Sequence, residues 1–519
     1  MKKTVLFLSC FAVVAFGRVI VVPDSVATIQ AGLGAAQSGD TVLVKPGTYT
    51  ENIVWPSRDG IKLYSLAGPD STVISGGGSA RVISIWSGAS RATEIRGFEI
   101  SGGKASSGAG ILAQGSPTIA GNRIKSNVCS GGSDFGGGIF CAYQASPLIA
   151  DNEISDNFCT DSATWNYGGG IYLDMGSSAE IRGNYIAANT CSEGYWNYGA
   201  GIFCALGSAA LIYQNEVYGN ETSDGDRGHG AGICVELQAR AFIFSNIIWN
   251  NTCYCPLWNY GGGISVEGTA AIINNTFENN SCQNGTWNYG GGIYIDAGDS
   301  ALVKNNIITQ GIAASGGGIY NAGYLLNSYN DVVHNHGGDY YGCSPGPGDI
   351  SAEPLFTEGA HGLFYLSQIA AGQAQNSPCL DAGDTLLATT PLNLDSLLRT
   401  WTTRTDSIID MAQLDMGYHY PGGILLGVAD GRQTPDASRV TPDAWPTPFR
   451  TSVTLALSQK EKEGVRVSIF DAQGRIVADF TGKDSNHVVW NAGSLPAGVY
   501  CYRITASSAT YTGRVVKLD

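Results

Sequence analysis

Apolar and polar positions along the chain fall into one motif written eight times. Its fullest form is Trp165-Asn166-Tyr167-Gly168-Gly169-Gly170-Ile171-Tyr172-Leu173-Asp174. The Gly-x-Gly-Ile core ends at Ile111, Ile139, Ile171, Ile202, Ile233, Ile264, Ile293 and Ile319, at spacings of 28, 32, 31, 31, 31, 29 and 26 residues. An Asn follows each Ile by 11 or 13 residues (Asn122, Asn152, Asn184, Asn215, Asn246, Asn275, Asn306, Asn330). Two places further on stands an apolar residue: Ile124, Ile154, Ile186, Val217, Ile248, Phe277, Ile308 or Val332. Such a narrow period marks a stacked repeat. Within it, Ile171 and Leu173 share one face of a strand while Tyr172 and Asp174 share the other.

Each unit therefore reads as a turn, a short strand, a turn, a second short strand and a return. Its apolar face has no partner inside the unit, and stacking like units buries that face continuously. No helical period runs through the repeats. The fold expected is all-β, a parallel β-helix, with the Asn residues of successive coils forming a hydrogen-bonded ladder. Before the repeats, Arg18 to Val22 reads as a strand. Thr28 to Gln37 reads as a short helix with Ile29 and Leu33 on one face, started by Ser25 or Thr28 and weakened by Gly32 and Gly34. Asp40 to Val44 reads as a further strand. Irregular coils run from Ile61 to Ile100, and regular ones to about His336. Residues from Gly422 to Pro448 are rich in Pro, Asp and Gly and read as a linker. Beyond them Val465–Phe470, Val488–Trp490, Gly498–Tyr502 and Val515–Leu518 predict a small β-sandwich.

The formal charge of −15 excludes nucleic acid and anionic lipid as main partners, since both need a basic surface. Residues 1–17 read as a signal peptide: Lys2 and Lys3, an apolar run from Val5 to Phe16, then Gly17. No later apolar run spans a bilayer, so no transmembrane segment is expected in the mature chain. Export leaves 12 of the 13 cysteines in a compartment that permits disulfides. Cys129, Cys159, Cys191, Cys253 and Cys282 each follow a recurrent Asn by two residues, with Thr222 in that place in one coil. They predict a column, either bridged between coils or packed as free thiols.

Two stretches carry family resemblances. The run from Thr28-Ile29-Gln30-Ala31 through Gly39-Asp40-Thr41-Val42-Leu43-Val44-Lys45-Pro46-Gly47-Thr48-Tyr49 resembles the opening of secreted right-handed β-helix proteins of the pectate-lyase-like superfamily. There a helix caps the open end of the solenoid. The stretches Asp349 to Phe356, Ser377 to Asp384 and Asp415 to Tyr418 resemble the closing segment of such proteins, which implies that they cover the last coil. Pro446-Thr447-Pro448-Phe449, Phe470-Asp471-Ala472-Gln473-Gly474-Arg475, Leu495-Pro496-Ala497-Gly498-Val499-Tyr500 and the final Lys517-Leu518 resemble the C-terminal sorting domain of type IX secretion. That resemblance implies the type IX machinery as a partner, and secretion to, or display on, the outer-membrane surface of a Gram-negative bacterium. The expected domains are thus a signal peptide at 1–17, a capped β-helix at 18–421, a linker at 422–448 and a sorting domain at 449–519.

Candidate chemistry lies on the outward positions of the repeat. One column holds Phe140, Tyr172, Phe203, Tyr294 and Tyr320, interrupted by Cys234 and Ser265. The next holds Asp174, Glu236, Glu267 and Asp296. Four Trp-Asn-Tyr triplets precede the glycines, beginning at Trp165, Trp196, Trp258 and Trp287. Rings at strand spacing beside carboxylates suit a polysaccharide or surface glycan. The plainer reading makes each triplet a structural corner. Paired carboxylates can hydrolyse a glycoside, and clustered ones can hold Ca²⁺ for a lyase, although no cofactor is required. A lyase also needs a base, for which Arg182, Arg227, Arg240 and Lys304 are candidates.

One coil breaks the repeat with Asp224-Gly225-Asp226-Arg227-Gly228-His229-Gly230, so Asp224, Asp226, Arg227 and His229 are the catalytic candidates. Gly228-His229-Gly230 resembles the Gly-His-Gly of polygalacturonases, whose Asn-Thr-Asp and paired Asp motifs are absent. His334, His336 and Asp339 could bind a metal, but read better as a polar closing loop. The expectation is an exported protein that binds an extended ligand without catalysis. A lyase or hydrolase, and a structural or adhesive surface protein, are the alternatives.

Overall fold

The structure, a computed structural model, describes residues 17–421 apart from 163–164, 385–393 and 410–412. In the C-terminal tail it describes 444–445, 452–456, 465–470, 476–482, 487–493, 495–496, 498–505 and 510–517. The expected signal peptide, except Gly17, and the linker, except its residues 444–445, lie outside the described residues.

A full coil carries five strands rather than the two read from the sequence. In the coil that begins near Asn157 these are Phe158–Thr160 (sheet I), Trp165–Tyr167 (sheet II), Ile171–Leu173 (sheet III), Ser178–Arg182 (sheet IV) and Tyr185–Ala187 (sheet V). Stacking turns them, among the described residues, into five parallel sheets of 7, 6, 11, 12 and 11 strands. Most strands have three residues, too few to show alternation in one coil. Their hydrogen bonds go instead to the coils above and below, which satisfies the main chain.

The predicted columns hold in register. Ile139, Ile171, Ile202, Ile233, Ile264, Ile293 and Ile319 pair in sequence along sheet III, and each is fully buried. In the Asn ladder, Asn184 Nδ2 donates to Asn215 Oδ1 at 2.9 Å while the Asn184 backbone N–H donates to the same oxygen at 3.0 Å. A second ladder runs through Asn127, Asn157, Asn189, Asn220, Asn251 and Asn280. The corner between sheets II and III explains the recurring glycine. Gly168 has φ +66°, and a Cβ there would stand 2.7 Å from the Ile171 carbonyl oxygen.

Cys129, Cys159, Cys191, Thr222, Cys253 and Cys282 form the expected column on sheet I. The thiols are free, and each donates to a main-chain carbonyl of its own coil, as Cys282 does to Tyr289 at 3.4 Å.

Helix α1 spans Ile29–Ala35, capped by the Thr28 side chain, which accepts from Ala31 N–H at 3.1 Å. Ile29 and Leu33 join the main core. Gly32 is needed for close approach, because a Cβ there would lie 2.9 Å from a Val42 methyl.

The closing segment does more than the expected covering of the last coil. Asp349 accepts from Asn330 N–H at 2.8 Å and ends the first ladder. Residues 414–420 then run back along the outside of the solenoid, because their main chain finds partners on several coils. Gly417 N–H donates to the Asn305 carbonyl, Tyr418 N–H to Thr276 Oγ1, His419 N–H to Ser245 Oγ, and Tyr418 Oη to Gln214. Helix α2, Leu394–Leu398, packs with Trp401 on Phe244 and Ile273 of sheet IV.

Among the described residues, the tail forms two antiparallel sheets, of three and four strands. Trp490 of one meets Tyr500 of the other edge-on, with ring centroids 5.2 Å apart.

Candidate functional site

Trp165–Tyr167, Trp196–Tyr198, Arg227–His229, Trp258–Tyr260 and Trp287–Tyr289 stack in register as sheet II. Each triplet divides its labour. The Asn turns inward and is buried in Asn166, Asn197 and Asn259, where its amide ties the preceding loop to the next coil. The third residue points outward and stacks. Tyr167 lies 5.1 Å from Tyr198, and Tyr198 lies 4.1 Å from His229. The Trp stands at the surface: Trp165 is 40% and Trp287 46% exposed, and Trp196 and Trp258 are half-buried. The triplet is thus a structural corner through Asn and Tyr and a surface feature through Trp.

The aromatic column of sheet III differs from the expected ligand face. Tyr172 and Tyr294 are nearly buried, at 7% and 6% exposed, and Phe203 fully so. The reason is that rings of sheet II lie across the rings one coil further on. Tyr167 covers Phe203 at 4.6 Å, Tyr260 covers Tyr294 at 4.6 Å, and Tyr289 covers Tyr320 at 4.6 Å. These rings form a packed floor. The tryptophans stand along one side of it, and Asp174, Glu236, Glu267 and Asp296 along the other.

The floor is broken where Cys234 and Ser265 replace rings. Above this gap His229 takes the tyrosine position. Its Nδ1 lies 2.6 Å from Oε1 of Glu267, which also accepts from Ser265 at 3.1 Å. Burial raises the Glu267 pKa, but the His229 charge and the bonds from His229, Ser265 and Cys234 prevail and hold it below the usual glutamate value. Burial and the neighbouring Glu267 push Glu236 up, against an opposing bond from Leu206 N–H at 3.0 Å. Burial, with Asp296 and Glu267 nearby, pushes Asp299 up to about 6. Tyr294 Oη donates to Asp296 at 2.9 Å.

Arg227 fills the tryptophan position, with its guanidinium 4.4 Å from the Trp258 ring and 5.5 Å from Trp196. The structure does not join the four catalytic candidates into one constellation. Asp224 sits in a left-handed turn at φ 57°. Asp226 gives its carbonyl to Trp258 N–H at 3.0 Å. His229 turns to Glu267, a pairing the sequence reading missed. A histidine oriented by a carboxylate can act as a base, yet His229 is only 6% exposed and its Nε2 is covered. It therefore holds two coils together.

The other basic candidates lie elsewhere. Arg182 pairs with Glu180 and Asp151, and Lys304 with Asp384 at 2.5 Å. Arg240 lines an apolar concavity of about 990 Å³ on the outer face of sheet IV, with Leu211, Phe242, Ala271, Leu302 and Leu326. His334 pairs with Glu353, while Asp339 accepts from Asn335, and among the described residues the three named for a metal do not converge. No helix among the described residues is long and apolar enough to cross a membrane.

Comparison with known families agrees with this architecture. Residues 79–271 match the family described as the right handed beta helix region. Residues 443–518 match the secretion system C-terminal sorting domain. No curated protein and no solved structure gave a significant match. The sorting domain marks the chain as secreted or cell-surface and as a client of the type IX machinery. The chain is a right-handed β-helix protein that carries a type IX secretion sorting tail.

Proposed function

We propose that this exported protein binds a polysaccharide, or a similarly extended glycan, along the face between its tryptophans and its carboxylates, without catalysing a reaction on it. We further infer export through a signal peptide at 1–17 and presentation at the outer-membrane surface of a Gram-negative bacterium. The observation that carries the reading is the row of partly exposed Trp165, Trp196, Trp258 and Trp287 beside Asp174, Glu236 and Asp296 over successive coils. Coils rise about 4.8 Å each, so the face presents apolar edges and hydroxyl acceptors at a pitch that a run of sugar rings can follow. The buried Tyr172 and Tyr294 support the floor, while Glu267 is committed to His229. The acidic surface favours neutral or cationic glycans over polyanions.

Affinity electrophoresis through gels containing different polysaccharides tests this. At least one neutral glycan should retard the full chain, and Trp165→Ala with Trp287→Ala should weaken retardation by about tenfold. Tyr254→Ala, at an exposed position on sheet I, should leave it unchanged. Absence of retardation on every glycan, or retardation indifferent to both tryptophans, contradicts the reading.

A further inference from the structure

The inward column of sheet II reads Asp134, Asn166, Asn197, Gly228, Asn259 and Asn288 from coil to coil. Where Asn stands, its Nδ2 donates to nearby oxygens: three at Asn166 and Asn259, two at Asn197 and one at Asn288. Asn166 donates to the Asp161 carbonyl at 3.0 Å, the Ser192 carbonyl at 2.6 Å and Asn197 Oδ1 at 3.3 Å. Asn259 donates in the same way to Cys255, Gln283 and Asn288 at 2.7, 2.8 and 2.9 Å.

Asp134 starts this column and, when ionised, has no hydrogen to give. It is fully buried, and neither of its carboxylate oxygens has a hydrogen-bond partner among the described residues. On the next rung Asn166 Oδ1 is also buried and receives no donor. The carbonyl that matches Ser192 at this level belongs to Thr160, its register partner. Asp161 adds a second carboxylate, anchored by Gly131 and Gly132 N–H groups at 2.8 and 3.1 Å. Burial first, and Asp161 second, push the Asp134 pKa up to about 7. A buried carboxylate that no hydrogen-bond donor reaches is strongly unfavourable unless a positive charge joins it.

We propose that Asp134 and Asn166 bind a calcium ion at the first rung of this column. Carboxylate, amide and main-chain carbonyl oxygens are the ligands of a hard cation, and Ca²⁺ tolerates an irregular arrangement of them. Thr160 supplies the carbonyl, and the Asp161 carboxylate adds negative potential beside the ion. The ion does at this rung what the amide hydrogens do at the later ones, so it fastens the coil of Asp134 to that of Asn166. This site is separate from the proposed glycan face and stands or falls independently of it.

The full chain, stripped with EGTA and titrated with calcium chloride near pH 8, tests the proposal by calorimetry and thermal unfolding. Calcium should bind at one site and raise the Tm. Asp134→Asn gives the rung the amide found in later coils, so it should fold, melt high without calcium, and bind calcium about tenfold more weakly or worse. A wild-type Tm indifferent to calcium overturns the proposal, as does an Asp134→Asn variant that responds like wild type. A proton could satisfy the site instead. Asp134 is raised in the folded state, so that proton stabilises at low pH and its contribution is lost as pH rises from about 4 through about 7. If calcium fails to restore the lost stability at higher pH, the proton holds the site and the calcium proposal falls.

Discussion

At the scale of single residues, the coil that departs from the repeat is bound to its neighbours by its own departures. His229 replaces a tyrosine, Cys234 and Ser265 leave room below it, and Glu267 enters that room. Removing one member of a buried pair strands the other charge, at a cost of roughly 3 kcal/mol. His229→Phe alone should therefore destabilise the chain more than His229→Phe combined with Glu267→Leu, as equilibrium denaturation would show. The Glu267 pKa is depressed, so its contribution is present above the ordinary glutamate value of 4.5 and lost as pH falls through its folded value. The gap between wild type and Glu267→Gln should accordingly narrow below pH 4.5.

The sequence did point to His229 as an exception, but paired it with the wrong acids. Asp224 and Asp226 are near in the chain, whereas Glu267 is 38 residues away, one coil and a few residues further. Two small residues in consecutive coils of an otherwise aromatic column were the available signal. A gap in such a column has to be filled from somewhere.

At the scale of strands and ladders, the columns of Ile, Asn and Cys were legible, because each recurs at the period of the coil and needs only stacking to be placed. The five strands per coil were not. Three-residue strands carry no alternation of their own, and Trp-Asn-Tyr and Asn-x-Cys gave no sign of being strands until their partners stood above and below. Tyr172 and Tyr294 hold outward positions in their strands yet are covered for a related reason: the cover comes from the rings of sheet II, whose strands show no alternation of their own. The Asn ladders make a firm prediction. Asn215 donates from its side chain to Asn246, Ile181 and Tyr213, and accepts from Asn184. Asn215→Ala strips those bonds from a buried site and should cost roughly 1–3 kcal/mol or more. Hydrogen exchange should quicken in the coils on both sides, while Gln283→Ala at an exposed position should change little.

At the scale of the molecule, a parallel solenoid converts distance along the chain into height. Ser178, Ala209, Arg240, Thr269, Ser300 and Tyr324 occupy one position on six successive rungs of sheet IV. The returning segment at 414–420 depends on this arrangement, since it bonds to residues from Gln214 to Asn305. So does the proposed glycan face, which exists only because tryptophans about thirty residues apart become neighbours. The most direct test is a spin-label distance between Ser178→Cys and Tyr324→Cys in a Cys343→Ser background, all three positions being at least partly exposed. Five rungs of about 4.8 Å predict a narrow distribution centred on a backbone separation of about 24 Å. A broad distribution on the order of 60 Å, as 146 residues of loosely organised chain would give, contradicts the stacked fold and every inference drawn from it.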